Sequence, residues 1–292
     1  MRKQFRDTVL DLAKNDDSIV LVLGDISVYY FNEFKKQYPG RFYNMGICEN
    51  TLVSVTAGLS SQGLCPFVHT IAPFITERSY EQIKIDMCYN KFGGNIVSCG
   101  ATFDYAWDGA THHCYTDLAI LRLLPGMQVI QPGSRKEADL LVRALYKNGK
   151  PTYFRLSDHP HDVDLPVEFG KAAVIKNAGS PVTVMTAGPI LGNVLEACRD
   201  LEVNLVYFST IKPIDTEAIK AFRNTHIHVI HDAFGLYEAV GEVSGLSLTF
   251  RGVKDEFCCC YGNVHDIRRQ LRLDPVSIKE EVSKLLSERG KA

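Results

Sequence analysis

Short runs of β-branched and apolar residues alternate along the chain with segments whose apolar positions recur every three to four residues. The stretch MRKQFRDTVLDLAKND (1–16) places Phe5, Val9, Leu12 and Ala13 on one face, which predicts an amphipathic helix. Strands are predicted at 19–23, 66–71, 95–99, 128–131 and 152–155, and helices between them at 49–62, 76–89 and 134–147. The last helix carries Ser134 followed three residues later by Glu137, a capping-box pattern. Such alternation argues for α/β layers around a mainly parallel sheet.

The stretch 157–166 (SDHPHDVDLP) interrupts this rhythm with two prolines among aspartates and histidines, and reads as an interdomain linker. A second α/β series follows, with strands at 182–186, 204–208 and 228–231. Its helices are predicted at 190–201, 215–222, from Leu236 onward and at 276–286. The expected organisation is two α/β domains, residues 1–160 and 170–292.

Composition narrows the function classes. At 292 residues and 46% hydrophobic content the chain can bury a full core. A net charge of −2 and a pI near 6.5 give no support for nucleic acid or an anionic membrane as partner. No apolar run approaches the roughly 20 residues that span a bilayer. Charges scattered through the first helix argue against a signal peptide, so a cytoplasmic location is expected. The nine cysteines include no CxxC pair. The run Cys258-Cys259-Cys260 is expected on a strand, with buried, reduced thiols rather than a zinc site.

Four segments carry candidate chemistry, at the strand ends where parallel sheets bind ligands. Glu49, in GICEN (46–50), lies where an extended run meets a helix. It is either a macrodipole-stabilised helix start or a buried acid. Phe74, in the segment 72–82, sits at a strand-to-helix turn, as a contact surface or a core aromatic. Asp108, His112 and His113 share a Gly-containing loop (DGATHH). It suits proton transfer or hydrogen bonding to a polar substrate, or is simply a solvated loop. Two histidines alone imply no metal site. Arg155 ends a strand and could clamp a phosphate or form a salt bridge, and Arg2 has the same ambiguity. The glycine-bearing turns at 186–192 and 232–238 lack a GxGxxG pattern and read as turn geometry or contact surface.

The succession of GICEN (46–50), APF..ERSYEQI (72–83) and DGATHH..TDLAILRLLPGMQVIQP (108–132) resembles the pyrimidine-binding domain of transketolases and deoxyxylulose-phosphate synthases. The later stretches at 182–198, 207–219 and 231–242 resemble their carboxy-terminal domain, so the likeness covers nearly the whole chain. The resemblance implies thiamine diphosphate as cofactor, with Glu49 hydrogen-bonding N1′ of its aminopyrimidine and Phe74 stacking on that ring. It also implies that His112 contacts the hydroxyls or carbonyl oxygen of a sugar, with Asp108 nearby. His113 is similar to the second histidine of the synthases. Arg155 and Arg2 would hold the terminal phosphate of a sugar phosphate.

One departure shapes the expected assembly. Full-length relatives bind the diphosphate through magnesium with a GDG motif in an earlier domain. This chain has only Gly24-Asp25-Ile26, inside the pyrimidine-type half. Diphosphate and Mg²⁺ need hard oxygen ligands and backbone donors. A partner subunit carrying that half is therefore expected, together with self-association across a two-fold axis. The activity implied is transfer of a two-carbon ketol unit from a ketose phosphate to an aldose. Rivals are deoxyxylulose-phosphate synthase chemistry, a 2-oxo-acid dehydrogenase beta-type subunit, and a non-catalytic regulatory subunit.

Overall fold

In the computed structural model, which describes residues 1–259 and 262–290, two predominantly parallel sheets are flanked by helices. The first half supplies β1 (Ile19–Leu23), β2 (Phe42–Asn44), β3 (Cys65–Ile71), β4 (Gly94–Cys99), β5 (Gln128–Ile130) and β6 (Pro151–Arg155). The second supplies β7 (Ala172–Lys176), β8 (Val182–Ala187), β9 (Asn204–Phe208), β10 (Thr210–Lys212), β11 (His226–Ile230) and β12 (Ser247–Arg251). The seven-stranded sheet runs β10-β5-β6-β4-β3-β1-β2 and the five-stranded sheet β12-β11-β8-β9-β7. The α/β class expected from the pattern is the observed one. β1 is buried at all five positions, as a central parallel strand covered on both faces must be.

The two halves interlock. β10 lies beyond the expected linker yet completes the first sheet, antiparallel to β5, with Thr210 opposite Ile130. One apolar cluster joins Val20, Ile96 and Val129 of the first half to Val206, Ile227 and Leu236 of the second. The segment 157–166 has no helix or strand; Ser157 and His161 anchor it in the interior, while Asp162, Asp164 and Pro166 are exposed. His161 lies 3.3 Å from Glu137, whose other carboxylate oxygen accepts from the Tyr207 hydroxyl at 2.6 Å.

Several local expectations need correction. The helix expected at 76–89 is broken into Ala72–Thr76, Tyr80–Gln82 and a π-helical turn, Ile83–Tyr89. Pro73 starts the first piece early, and the break at 77–79 gives Phe74 a turn of its own. Strands β2, β7, β10 and β12 and the helix Val264–Gln270 were not expected. Residues 257–259 form no strand. Cys258 is half-buried and Cys259 exposed, so neither is the core thiol that the sequence suggested. Cys260 lies outside the described residues. Among those residues no helix is long and apolar enough to cross a membrane.

Two glycines are fixed by their surroundings. A methyl group on Gly24 would stand 2.8 Å from Thr70 and 2.9 Å from Leu52, so its place in Gly24-Asp25-Ile26 is one of close packing. Gly188, at φ +64°, turns the chain after β8 against Gln131, which makes the 186–192 segment turn geometry.

Candidate active site

The carboxyl ends of β1 to β4 feed the segments singled out in the sequence. Glu49 is the first residue of the helix Glu49–Ser61, where exposed backbone N–H groups favour an anionic side chain. Its side chain is nevertheless only 1% exposed. Oε2 accepts a hydrogen bond from Arg78 Nη1 at 2.5 Å, while Oε1 is buried without a hydrogen-bond partner. A buried carboxylate oxygen left bare is costly, and such groups require an explanation.

Arg78 was not among the sequence candidates. It joins Glu49 to Phe74, because its guanidinium carbon also stands 4.4 Å from the centre of the Phe74 ring. The Asn50 side chain steadies this corner by donating to the Arg78 carbonyl at 3.2 Å and to Gln82 Oε1 at 2.7 Å. Phe74, half-buried in Ala72–Thr76, meets the His112 ring at 5.1 Å and 67°. Glu49, Arg78, Phe74 and His112 thus form one continuous row. Glu49 and Arg78 are 29 residues apart, so only the order of the segments could have suggested their pairing.

The DGATHH loop is a short 3₁₀ helix, Ala106–Thr111, kinked at Gly109 (φ 73°). Asp108 is exposed on it. His112 follows it and is half-buried, its Nδ1 2.9 Å from Thr111 Oγ1. The Thr111 hydroxyl donates its own proton to the Asp108 carbonyl at 3.2 Å, so it receives the Nδ1–H of His112. In the neutral ring, Nε2 is then the lone-pair nitrogen. Tyr105 stands beyond His112, with ring centres 6.1 Å apart. Burial and the neighbouring Cys99 thiol raise the Tyr105 hydroxyl well above its ordinary pKa.

Three other candidates are placed differently from the sequence expectation. His113 turns inward: its Nε2–H donates to the Ala106 carbonyl at 3.2 Å and its ring meets Phe103 edge-on at 5.1 Å. It therefore does not share the face that His112 presents. Arg155 is 1% exposed and committed internally, donating to Asp117 Oδ2 at 2.7 Å and to the Cys114 carbonyl at 2.6 Å. Its guanidinium therefore takes the salt-bridge alternative that the sequence left open, beneath the surface and matched to a carboxylate. Arg2 is accessible, but it is paired side-on with Asp158, through Nε at 3.2 Å and Nη2 at 2.8 Å.

Comparison with known proteins gives this geometry its context. Residues 1–159 match the family described as transketolase, pyrimidine binding domain. The chain is 31% identical to one of the subunits of the apulose-4-phosphate transketolase of Phocaeicola vulgatus, over 95% of this chain and 94% of that one. It is also 27% identical to the 1-deoxy-D-xylulose-5-phosphate synthase of Alkaliphilus oremlandii, across 96% of this chain but 48% of that protein. A solved structure described as a split gene transketolase, inactive beta4 tetramer, superposes with a TM-score of 0.87. It shares 29% identity and covers 99% of this chain and 98% of its own. With the family model spanning over half the sequence and full-length relatives on both sides, the chain belongs to the transketolase family.

Proposed function

We propose that this chain is the pyrimidine-binding subunit of a thiamine-diphosphate-dependent transketolase, active together with a partner subunit that holds the diphosphate and Mg²⁺. Its subunits would further associate across a two-fold axis. The observation that carries the reading is the Glu49 carboxyl group, with one oxygen fixed by Arg78 and the other buried and bare, while the same Arg78 lies over Phe74 and Phe74 meets His112. That bare carboxyl oxygen calls for a hydrogen-bonding partner with which it can share a proton and Phe74 offers a ring surface, so these residues fit the aminopyrimidine end of the cofactor. When bound, thiamine diphosphate supplies the carbanion chemistry that breaks and remakes the carbon–carbon bond beside the ketone.

The chain's own residues then have distinct tasks. Glu49 Oε1 would share one proton with the ring nitrogen, donating it as a carboxyl and accepting from the nitrogen once that is protonated. Arg78, through its contacts with both Glu49 and Phe74, sets the carboxylate and the ring relative to each other. His112, oriented by Thr111, offers Nε2 to a sugar hydroxyl, or, when protonated, donates to a carbonyl oxygen. Asp108, one turn earlier and exposed, is available to select among hydroxyl configurations.

The synthase reading draws less from His113, whose Nε2–H is committed to the Ala106 carbonyl. The two readings separate by donor. A complex of this chain with a diphosphate-binding partner is expected to exchange two-carbon units between xylulose and ribose, free or phosphorylated. With pyruvate and glyceraldehyde 3-phosphate it should give no product. Turnover of the pyruvate pair alone would assign the chain to the synthases.

A further inference from the structure

Beyond His112 and Tyr105 the rim of the site continues to a second charged pair. Arg2 and Asp158 are both within electrostatic reach of the Tyr105 hydroxyl, and Arg2 also lies 5.8 Å over the Tyr30 ring. Their side chains are 23% and 29% exposed, so the pair borders solvent. The contact is a fork: Nε and Nη2 of Arg2 each donate to a different oxygen of Asp158. This is the same planar match that a guanidinium offers to phosphate.

Asp158 is not a mobile surface acid. Its backbone N–H donates to Asp104 Oδ2 at 2.8 Å. Asp104 is held in turn by the Ser157 hydroxyl at 2.8 Å and the Ala101 N–H at 3.0 Å. The carboxylate is therefore built into the position from which it neutralises Arg2. Arg155, at the end of β6 three residues before Asp158, is matched to Asp117 inside the protein.

Resting on the transketolase reading above, we infer that the Arg2–Asp158 pair selects a sugar whose far end is an uncharged hydroxyl rather than a phosphate ester. A phosphate dianion there would meet a neutralised guanidinium and a fixed carboxylate of its own sign. A hydroxyl can donate to Asp158 and accept from Arg2 without disturbing the fork. The substrate class is the free ketose or aldose.

The test uses the assembled complex with Mg²⁺ and thiamine diphosphate, hydroxypyruvate as donor, and ribose or ribose 5-phosphate as acceptor. Ribose should be favoured in kcat/KM by about tenfold or more. Asp158→Asn, which keeps shape and removes charge, should shift that ratio toward ribose 5-phosphate by about tenfold. Calorimetric titration with inorganic phosphate provides a readout independent of turnover: binding should appear in the variant and be absent in the parent. Asp158→Ser serves the same purpose if the amide variant fails to assemble. A parent complex that prefers ribose 5-phosphate would overturn the inference. So would a variant in which both the ratio and phosphate binding stay unchanged. If neither acceptor is consumed while phosphate binding still appears on substitution, the ketol-transfer reading fails and the assignment of this pair stands.

Discussion

Two carboxylate–arginine pairs, one in each half, look alike on paper and differ in what they leave unsatisfied. Glu49–Arg78 joins a carboxylate that is 1% exposed to an arginine that is 44% exposed, and Glu49 Oε1 has no partner. Asp232–Arg268, after β11, is closed at its carboxylate, and the atom it leaves buried without a partner is a donor, Arg268 Nε. The side chains are 3% and 7% exposed, and Asp232 accepts from Thr102 through Oδ1 and from Arg268 through Oδ2. Burial alone would raise the Asp232 carboxyl, but the Arg268 guanidinium beside it outweighs this and holds it below the usual range. The second pair holds two halves of the chain together, since Thr102 belongs to the first. The first pair keeps an acceptor ready for something outside the chain. Ion pairing alone therefore does not mark a site; what sets the first pair apart is a bare buried acceptor whose arginine is itself exposed and lies over the Phe74 ring.

Substitution should separate the pairs most sharply at Glu49. Glu49→Gln keeps the shape and removes the charge, and turnover of the assembled complex should fall by about 10²–10⁴-fold. Assembly, followed by light scattering, should be unchanged. Unaltered turnover would remove Glu49 from the chemistry. The mirror experiment is Arg268→Met. Leaving Asp232 buried and uncompensated should cost about 3–5 kcal/mol in urea unfolding. Its effect on KM for either sugar should be slight, and a catalytic loss without a stability loss would make the closed pair functional after all.

Much of this contrast was legible in the sequence. The buried strands β1, β3, β4, β8 and β9 announce themselves as apolar runs, and Glu49 was expected where an extended run meets a helix. The strands that went unseen are short or lie at or near sheet edges. β2 and β10 have three residues each, and β12 is half-exposed throughout, so neither length nor apolar content distinguishes them from loops. Arg78 was hidden because its partner is 29 residues away. Arg155 and Arg2 were recognisable as charges at useful places, but nothing local in the chain reveals that Asp117 and Asp158 neutralise them.

A smaller effect checks where the two halves behave alike. His69 on β3 donates to the Val97 carbonyl and accepts from Ser27, and His228 on β11 contacts Thr249. Burial lowers both imidazoles, each to about 4. Both stay neutral in the folded chain down to that pH, while the unfolded chain takes up protons below about 6.5. Stability is then complete above about pH 6.5 and declines as the pH falls toward 4, by at most on the order of 3 kcal/mol for each group. Urea unfolding at a series of pH values should show this slope, reduced in His69→Gln and in His228→Gln alike. A slope lost entirely in one variant would assign the acid sensitivity to a single half.

The central claim is that Glu49 offers its free oxygen to a cofactor whose diphosphate another subunit grips. Calorimetric titration of Mg-thiamine diphosphate into this chain, into the partner and into their complex tests it directly. Tight binding is expected only for the complex; equally tight binding by this chain alone would contradict the account.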